Sequence, residues 1–458
     1  MNLTRTIENI FRKYLPSPFT IAVLLTVLTI ILALAFTSSP QNENHFFNIL
    51  SYWEEGIWNN GLLVFAYQMM LILVLGHVLV LSKPMEKLIM RLTKYVSNTA
   101  NAAVLVALPT MLVAFFNWGL GLIFGAILAR KVGEYAQKKN IAINYPLIGA
   151  SGYLGLMVWH GGVSGSAPIK VAENGHLKDL MQNISGSALT AQWPEAISTK
   201  LTIFSVSNLM VFATVVLVIS AVVYFLGRRT RTNPTNLKTY HFDKQEKKYL
   251  VGAERLDHST VLSTFFGILV LSVFLLQYLP ALRALNITPN MLNFLMLGLA
   301  ILLHGSFKRF LLAVEAAIGD VAGILIQFPL YFGIMGIMAQ SGMINQISDF
   351  FVSISNETTL PIFTFFSAGL VNIFVPSGGG QWAVQGPLVL ESASQLGVPL
   401  YKAVMALAYG DQVTNMLQPF WALPLLGITK LKANEILPYT LLFMGVGTII
   451  YITALLIF

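Results

Sequence analysis

The sequence predicts an all-α polytopic membrane protein made of two inverted repeats, each with a re-entrant helical hairpin and a discontinuous helix. Three observations predict it. The 458-residue chain is 55% hydrophobic and only 10% charged, with a mean hydropathy of +0.69, whereas a soluble protein carries about 25% charged residues. Apolar runs long enough to span a bilayer recur from end to end. Four of the apolar stretches are broken at their centres by Gly, Pro, Ser, Asn and Gln.

The runs that can span fall near 19–36, 61–82, 145–170, 200–226, 260–279, 290–304, 310–340, 400–428 and 436–457, about nine in all. The first follows Arg5, Arg12 and Lys13 and ends near Ala33-Leu34-Ala35, in the manner of a signal peptide. It is longer than a typical signal h-region, so it is read as an uncleaved first helix. Two further stretches, 102–130 and 361–390, carry a polar kink in the middle. Each leaves roughly 14 residues a side, or about 21 Å of helix against a core of ~30 Å. A hairpin that dips in and returns fits that length better than two crossings.

Charge sets the orientation. With the N-terminus in the cytoplasm, 23 of the 28 lysines and arginines fall on the cytoplasmic side, as the positive-inside rule requires. The C-terminus then lies outside, and the two hairpins open to opposite faces. The net charge of +8 is thereby a matter of topology and not of nucleic acid. The absence of cysteine excludes disulfides, thiolate metal sites and cysteine nucleophiles.

The hydrophilic segment 227–258 divides the chain into a first repeat, 1–226, and a second, 259–458; alternatively, it is a lipid-contacting arm. Asn117 precedes Asn372 by 255 residues and Tyr153 precedes Tyr409 by 256. In both halves a broken hairpin is followed by a span broken at its centre. Inverted repeats with discontinuous helices point to a secondary transporter with a site near the midplane.

The breaks carry the chemistry. Non-helical backbone survives at membrane depth only where protein or a water-filled cavity covers its N–H and C=O groups. In "NIFVPSGGGQ", Asn372, Pro376, Ser377, Gly378, Gly379, Gly380 and Gln381 combine a lost donor, close backbone approach and neutral polar groups. A half-helix starting after the glycines presents N–H groups to an anion, and one ending before them presents carbonyls to a cation. The same physics applies to Asn117, Gly119 and Gly121 in "NWGLG", to His160, Gly162, Ser164 and Ser166 in "HGGVSGSAP", and to Asp411, Gln412, Thr414 and Asn415 in "GDQVTNMLQP". Small residues that merely let helices pack are the alternative reading.

Ionisable groups within the apolar segments are few: His77, His160, Glu315, Asp320 and Asp411, with His304 near an interface. Such groups are functional by default. Asp411 ligates a cation, takes part in proton coupling or caps the next half-helix. Glu315 and Asp320 are expected on one long helix outside the breaks. "PSGGGQ" lacks the Lys-Ser/Thr of a phosphate-binding loop. "GVSG", at 162–165, leaves an intramembrane hydrolase with Ser164 as a remote alternative.

"NIFVPSGGGQWAVQGP" and "AYGDQVTNMLQPFWALP" resemble the bacterial short-chain fatty acid transporter family, the AtoE-type permeases. "FNWGLGLIFGAILAR" and "GGVSGSAP" are similar to it as well, and the resemblance runs along nearly the whole chain. It implies uptake of short monocarboxylates such as acetoacetate and butyrate across the bacterial inner membrane, and no enzymatic activity. The wider ion transporter superfamily implies a homodimer with a scaffold domain and an elevator-type transport domain. It also implies carboxylate and cation binding at the residues named above, with Na+ at the breaks containing Asn117, Ser164, Asn372 and Asn415, or H+ instead. A dicarboxylate or another organic anion is the alternative substrate. No Lys or Arg stands at the breaks, which favours a single substrate charge.

Overall fold

The computed structural model describes residues 16–39, 44–185, 193–230, 232, 237, 252–283 and 288–458. Arg5, Arg12, Lys13, most of the 227–258 connection and the side chain of Asp320 lie outside that description. All described regular elements are helices. In order they are α1 (Pro18–Phe36), α2 (His45–Ile57), α3 (Asn60–Val80), α4 (Lys83–Thr93), α5 (Thr99–Phe116), α6 (Trp118–Lys138), α7 (Tyr145–Tyr153), α8 (Ser166–Lys170), α9 (His176–Ser185) and α10 (Val206–Arg229). The second half holds α11 (Glu254–Asp257), α12 (Thr260–Arg283), α13 (Pro289–His304), α14 (Phe307–Ala317), α15 (Ala322–Gln340), α16 (Met343–Ser353), α17 (Leu360–Phe374), α18 (Gly378–Gln395), α19 (Leu400–Thr414), α20 (Pro419–Thr429) and α21 (Ala433–Ile457).

Seven of the described helices are long and apolar enough to cross a membrane: α1, α3, α5, α10, α12, α15 and α21. Polar caps fix where they begin. Ser17 accepts from the Thr20 amide, Asn98 from Asn101 and Ser205 from Asn208, each covering one of the amides a helix start leaves open. Gly305, at φ 70, ends α13, a left-handed position that glycine takes without strain.

The two broken stretches fold back on themselves. Asn117 alone separates α5 from α6, in extended conformation at φ −151, ψ 120. From this point Gly121 packs on Ala114 and Gly125 on Thr110, so the two helices run antiparallel. Around Val375–Ser377, Gln381 likewise reaches back to the Ala368 carbonyl. The arms are longer than the apolar windows indicate. Those of the first hairpin have 18 and 21 residues, and those of the second 15 and 18, or about 22–31 Å. The expectation of about 14 residues a side is close for α17, at 15, and is corrected for α5, α6 and α18, which continue through polar residues past their apolar cores.

Two other expectations change, and the break within 145–170 takes a definite form. The run 310–340 is not one helix: a 3₁₀ turn at Ile318–Val321 separates α14 from α15, and Glu315 is exposed. The 145–170 run is helical only to Tyr153, then a 3₁₀ turn (Leu154–Met157) and irregular backbone lead to α8. The loops before 61 and after 82 contain α2 and α4. Gly56 of α2 lies against the Phe332 carbonyl of α15, and Gly336 against the Tyr52 carbonyl; these glycines let α2 lie directly on α15.

Both halves repeat the order hairpin, short helix, 3₁₀ turn, and their elements interlock. α6 packs on α20, α7 and α10 on α21, and α8 on α18 and α19. The main core therefore joins residues such as Ala114, Ile148 and Tyr153 to Phe328, Phe420 and Tyr439, and a smaller core joins Ala167 and Val171 to Leu360, Trp382 and Leu407. Close approach is the binding constraint at these contacts. A Cβ on Gly125 would lie 2.1 Å from the Gly152 carbonyl, whereas one on Gly445 would meet nothing within 4 Å. Gly125→Ala is expected to lower stability by about 1–3 kcal/mol, read as a fall in melting temperature of the purified protein, while Gly445→Ala leaves it unchanged or raises it.

Candidate functional site

The four breaks converge. At the first hairpin tip, the Asn117 side chain caps α6 by accepting from the Leu120 amide at 2.9 Å. The Trp118 amide donates to Ser164 Oγ at 2.9 Å, and the Val163 amide to the Phe115 carbonyl at 2.7 Å. The break after α7 is thereby tied to the tip. It is tied equally to α19, because Gln412 Oε1 accepts from the amides of His160 and Gly161 at 2.9 and 3.0 Å. Asn208 of α10 donates to the Gly161 and Ile203 carbonyls and accepts from the Tyr409 hydroxyl.

The second hairpin is bound in the same way. Asn372 Nδ2 lies 2.8 Å from the Asp411 carbonyl, 3.0 Å from Thr414 Oγ1 and 2.8 Å from Asn415 Oδ1. Gln418 donates to the Asn372 carbonyl. The Tyr153 hydroxyl, from the first half, donates to the carbonyls of Asn415 and Gln418 at 2.9 and 3.1 Å. Ser377 caps α18 by accepting from the Gly380 amide, and Gln381 bridges the Ala368 carbonyl and Gln385. Amides and hydroxyls thus cover backbone that could not stay open in hydrocarbon.

In front of this network lies a cavity of about 260 Å³, just below the roughly 300–1,000 Å³ of drug-sized sites. Phe65, Trp118, Trp159, Phe332, Phe420 and Trp421 form its apolar wall. Ser166 and residues 376–379 form its polar edge, and among the described residues no charged side chain lines it. The aromatic wall is continuous: the Trp118 and Trp421 rings lie 5.0 Å apart, and Phe328 stacks on Phe420 at 3.9 Å.

The candidate residues therefore divide in two. Ser166, Pro376, Ser377, Gly378 and Gly379 face the cavity. Behind it, Asn117, His160, Ser164, Asn372, Gln381, Asp411, Gln412, Thr414 and Asn415 hold the breaks together. Gly119 and Gly380 lie beside the cap side chains Asn117 and Ser377, while Gly121 and Gly162 serve close packing against Ala114 and the Phe115 carbonyl. The sequence reading missed the aromatic wall and Asn208, and it paired Tyr153 with Tyr409 without its contact to the second break. Trp118, Trp159 and Trp421 stood inside the motifs that drew attention, next to each break.

At the breaks where the resemblance places sodium, the side-chain oxygens already hold protein donors. The oxygens of Asn117, Ser164 and Asn415 already accept from the amides of Leu120, Trp118 and Asn372. The Asn372 amide nitrogen has three oxygens within 3.0 Å. The hydrolase reading fails. The Ser164 hydroxyl is held by the Trp118 amide, His160 Nε2 accepts from the Ala167 amide at 3.0 Å, and among the described residues no hydrogen bond joins Ser164 to a histidine.

Gln412 covers two buried amides at once, so Gln412→Ala is expected to cost about 1–3 kcal/mol through the groups left unpaired. A thermal-shift measurement on purified protein checks it.

Comparison with known proteins accounts for the whole chain. The family model described as short chain fatty acid transporter matches residues 1–458. A protein of Escherichia coli (strain K12), provisionally named a short-chain fatty acid transporter, is 36% identical over 98% of this chain and 99% of its own length. One of Haemophilus influenzae (strain ATCC 51907 / DSM 11121 / KW20 / Rd), with the same provisional name, is 34% identical over 95% of each. Two solved transporters overlap only weakly. Neisseria gonorrhoeae MtrF, described among antimetabolite efflux pumps, gives a TM-score of 0.43 at 16% identity, over 99% of this chain and 97% of its own. Alcanivorax borkumensis YdaH gives 0.40 at 14%, over 95% and 97%. Overlaps of that size carry no weight for function. The chain belongs to the short-chain fatty acid transporter family: it is a multi-pass membrane transporter and not an enzyme.

Proposed function

We propose that this chain carries short-chain monocarboxylates, such as butyrate or acetoacetate, across the bacterial cytoplasmic membrane together with a cation. The observation that carries the reading is the cavity, with an aromatic wall on one side and uncharged donors on the other. A short acyl tail lies against Trp118, Trp159, Phe420 and Trp421. Its carboxylate meets the Ser166 and Ser377 hydroxyls and the first amides of α18, at the positive end of an 18-residue helix. With no lysine or arginine in the lining, one negative charge is accommodated more readily than two, which sets dicarboxylates second.

Both hairpins are proposed to be re-entrant, the N-terminus cytoplasmic and the C-terminus outside. Supporting this, Trp118 at the first tip shares the cavity with Phe332, which lies near the middle of the 19-residue α15. A tip level with the middle of a spanning helix supports entry without crossing. An inverted duplication, a homodimer and an elevator-type motion belong to the same proposal, through the resemblance to the wider superfamily.

Counterflow in liposomes tests the substrate class. Vesicles loaded with unlabelled acid take up labelled butyrate, acetoacetate or succinate, with protein-free vesicles correcting for passive entry of the weak acids. Exchange of butyrate and acetoacetate is expected; exchange of succinate alone contradicts the reading. Gly379→Ala sharpens the test. Its Cβ would approach no atom closer than 3.9 Å, yet it projects beside the cavity edge. The variant is expected to keep the wild-type melting temperature and lose at least about tenfold in exchange, or about 1.4 kcal/mol of transport-competent binding.

A further inference from the structure

We propose that the cavity takes a short monocarboxylate ending in an aromatic ring, such as phenylacetate, in preference to butyrate, and that Trp118 and Trp421 select the ring. This rests on the monocarboxylate reading above and narrows its substrate class.

Volume is the first reason. A cavity of about 150 Å³ is enough to hold benzene, and the one here measures about 260 Å³. At roughly 30 Å³ for each water displaced, the difference is room for a carboxylate and a linking carbon. Butyrate's propyl tail leaves part of that space to water or void, and wall atoms that face a gap lose their dispersion contacts. Each further apolar carbon brought against the wall is worth up to about fourfold in affinity.

The lining favours a ring over a longer chain, because its aromatic faces are not equally free. Phe420 is covered by Phe328, inclined by only 21° with centroids 3.9 Å apart, and Trp159 by His160 at 19° and 4.5 Å. Among the described residues no ring lies parallel to Trp118 or Trp421. Trp118 is tilted by 37° from Phe65 and by 58° from Trp159. The two indoles cross at 70° with centroids 5.0 Å apart, and Trp421 crosses Phe65 at 84° and Phe420 at 82°. A planar guest stacked on either indole therefore meets the other edge-on. Offset-stacked and edge-to-face are the arrangements that aromatic pairs prefer, beyond the area they bury. A linear chain gains the area alone and gives up rotational freedom that a ring does not have.

The polar edge lies directly against this wall. A Cβ on Gly378 would lie 2.7 Å from the Trp159 ring and 3.2 Å from Ser166 Oγ, and all three residues line the cavity. Carboxylate and ring are therefore held close together, which calls for a short linker between them.

Counterflow with wild-type protein in liposomes tests this. Vesicles loaded with an unlabelled acid take up the same acid labelled, either butyrate or phenylacetate, with protein-free vesicles correcting for passive entry. Phenylacetate is expected to exchange, and to halve butyrate exchange at a concentration at least about tenfold lower than unlabelled butyrate needs. Cyclohexylacetate, with the same carbon skeleton and no π face, is expected to compete several-fold less well than phenylacetate. Trp421→Leu is expected to weaken phenylacetate at least about fivefold more than butyrate, and Trp421→Phe, which keeps a ring, to recover part of that difference. Butyrate exchange that resists phenylacetate, inhibition by phenylacetate without its exchange, or equal competition by cyclohexylacetate overturns the aromatic preference and leaves the butyrate reading standing. Exchange of phenylacetate without exchange of butyrate overturns the short-chain reading and upholds the ring site. Exchange of neither overturns both.

Discussion

Open backbone at membrane depth is the constraint on which the rest of this structure depends. Hydrocarbon offers no hydrogen bonds, so each bare amide or carbonyl costs several kcal/mol. Four interrupted helices could not persist singly. They persist because each covers the others: Gln412 covers the amides of the break after α7, Tyr153 the carbonyls of the break after α19, and Ser164 the first hairpin tip. Every one of these pairs is remote in sequence. The polar network is a condition of folding before it is a device for transport.

The same economy shapes the cavity. Polar side chains are drawn inward to cover backbone, and what remains at the surface of the break cluster is aromatic on one side and tip backbone on the other. On the proposed reading, an anion is held there by helix geometry and hydroxyls alone. Because the four breaks share their hydrogen bonds, they act as one body. A conformational change that slid one tip past another would open several bonds at once, so the economical motion carries the cluster whole.

Much of this was legible in the chain. Hydropathy located the long helices because a spanning segment has no other composition available, and the starts of α1, α3 and α21 fall within three residues of the apolar windows. The breaks were legible because proline, triple glycine and Asn117 are costly in a helix without a purpose. Helix ends were not: α5 and α6 outrun their apolar cores on capped polar residues, which a window average discards. The interruption at Ile318–Val321 carries no proline and only Gly319 as a signal, so 310–340 read as continuous. The site's interior was the least legible. Nothing in the neighbourhood of Asn208 or Tyr153 marks them as partners of breaks 47 and 262 residues distant.

The most direct test asks whether the first half's break and the second half's tip meet in the membrane. The chain has no cysteine, so a single introduced pair reports alone. A Cβ on Gly379 would lie 3.9 Å from Ser166 Oγ, so side chains at the two positions are within contact of each other. A double variant, Ser166→Cys with Gly379→Cys, is expected to oxidise rapidly to an intramolecular disulfide in native membranes, and butyrate is expected to slow the reaction. If both thiols react freely with a maleimide yet never join to each other, the convergence of the four breaks is wrong.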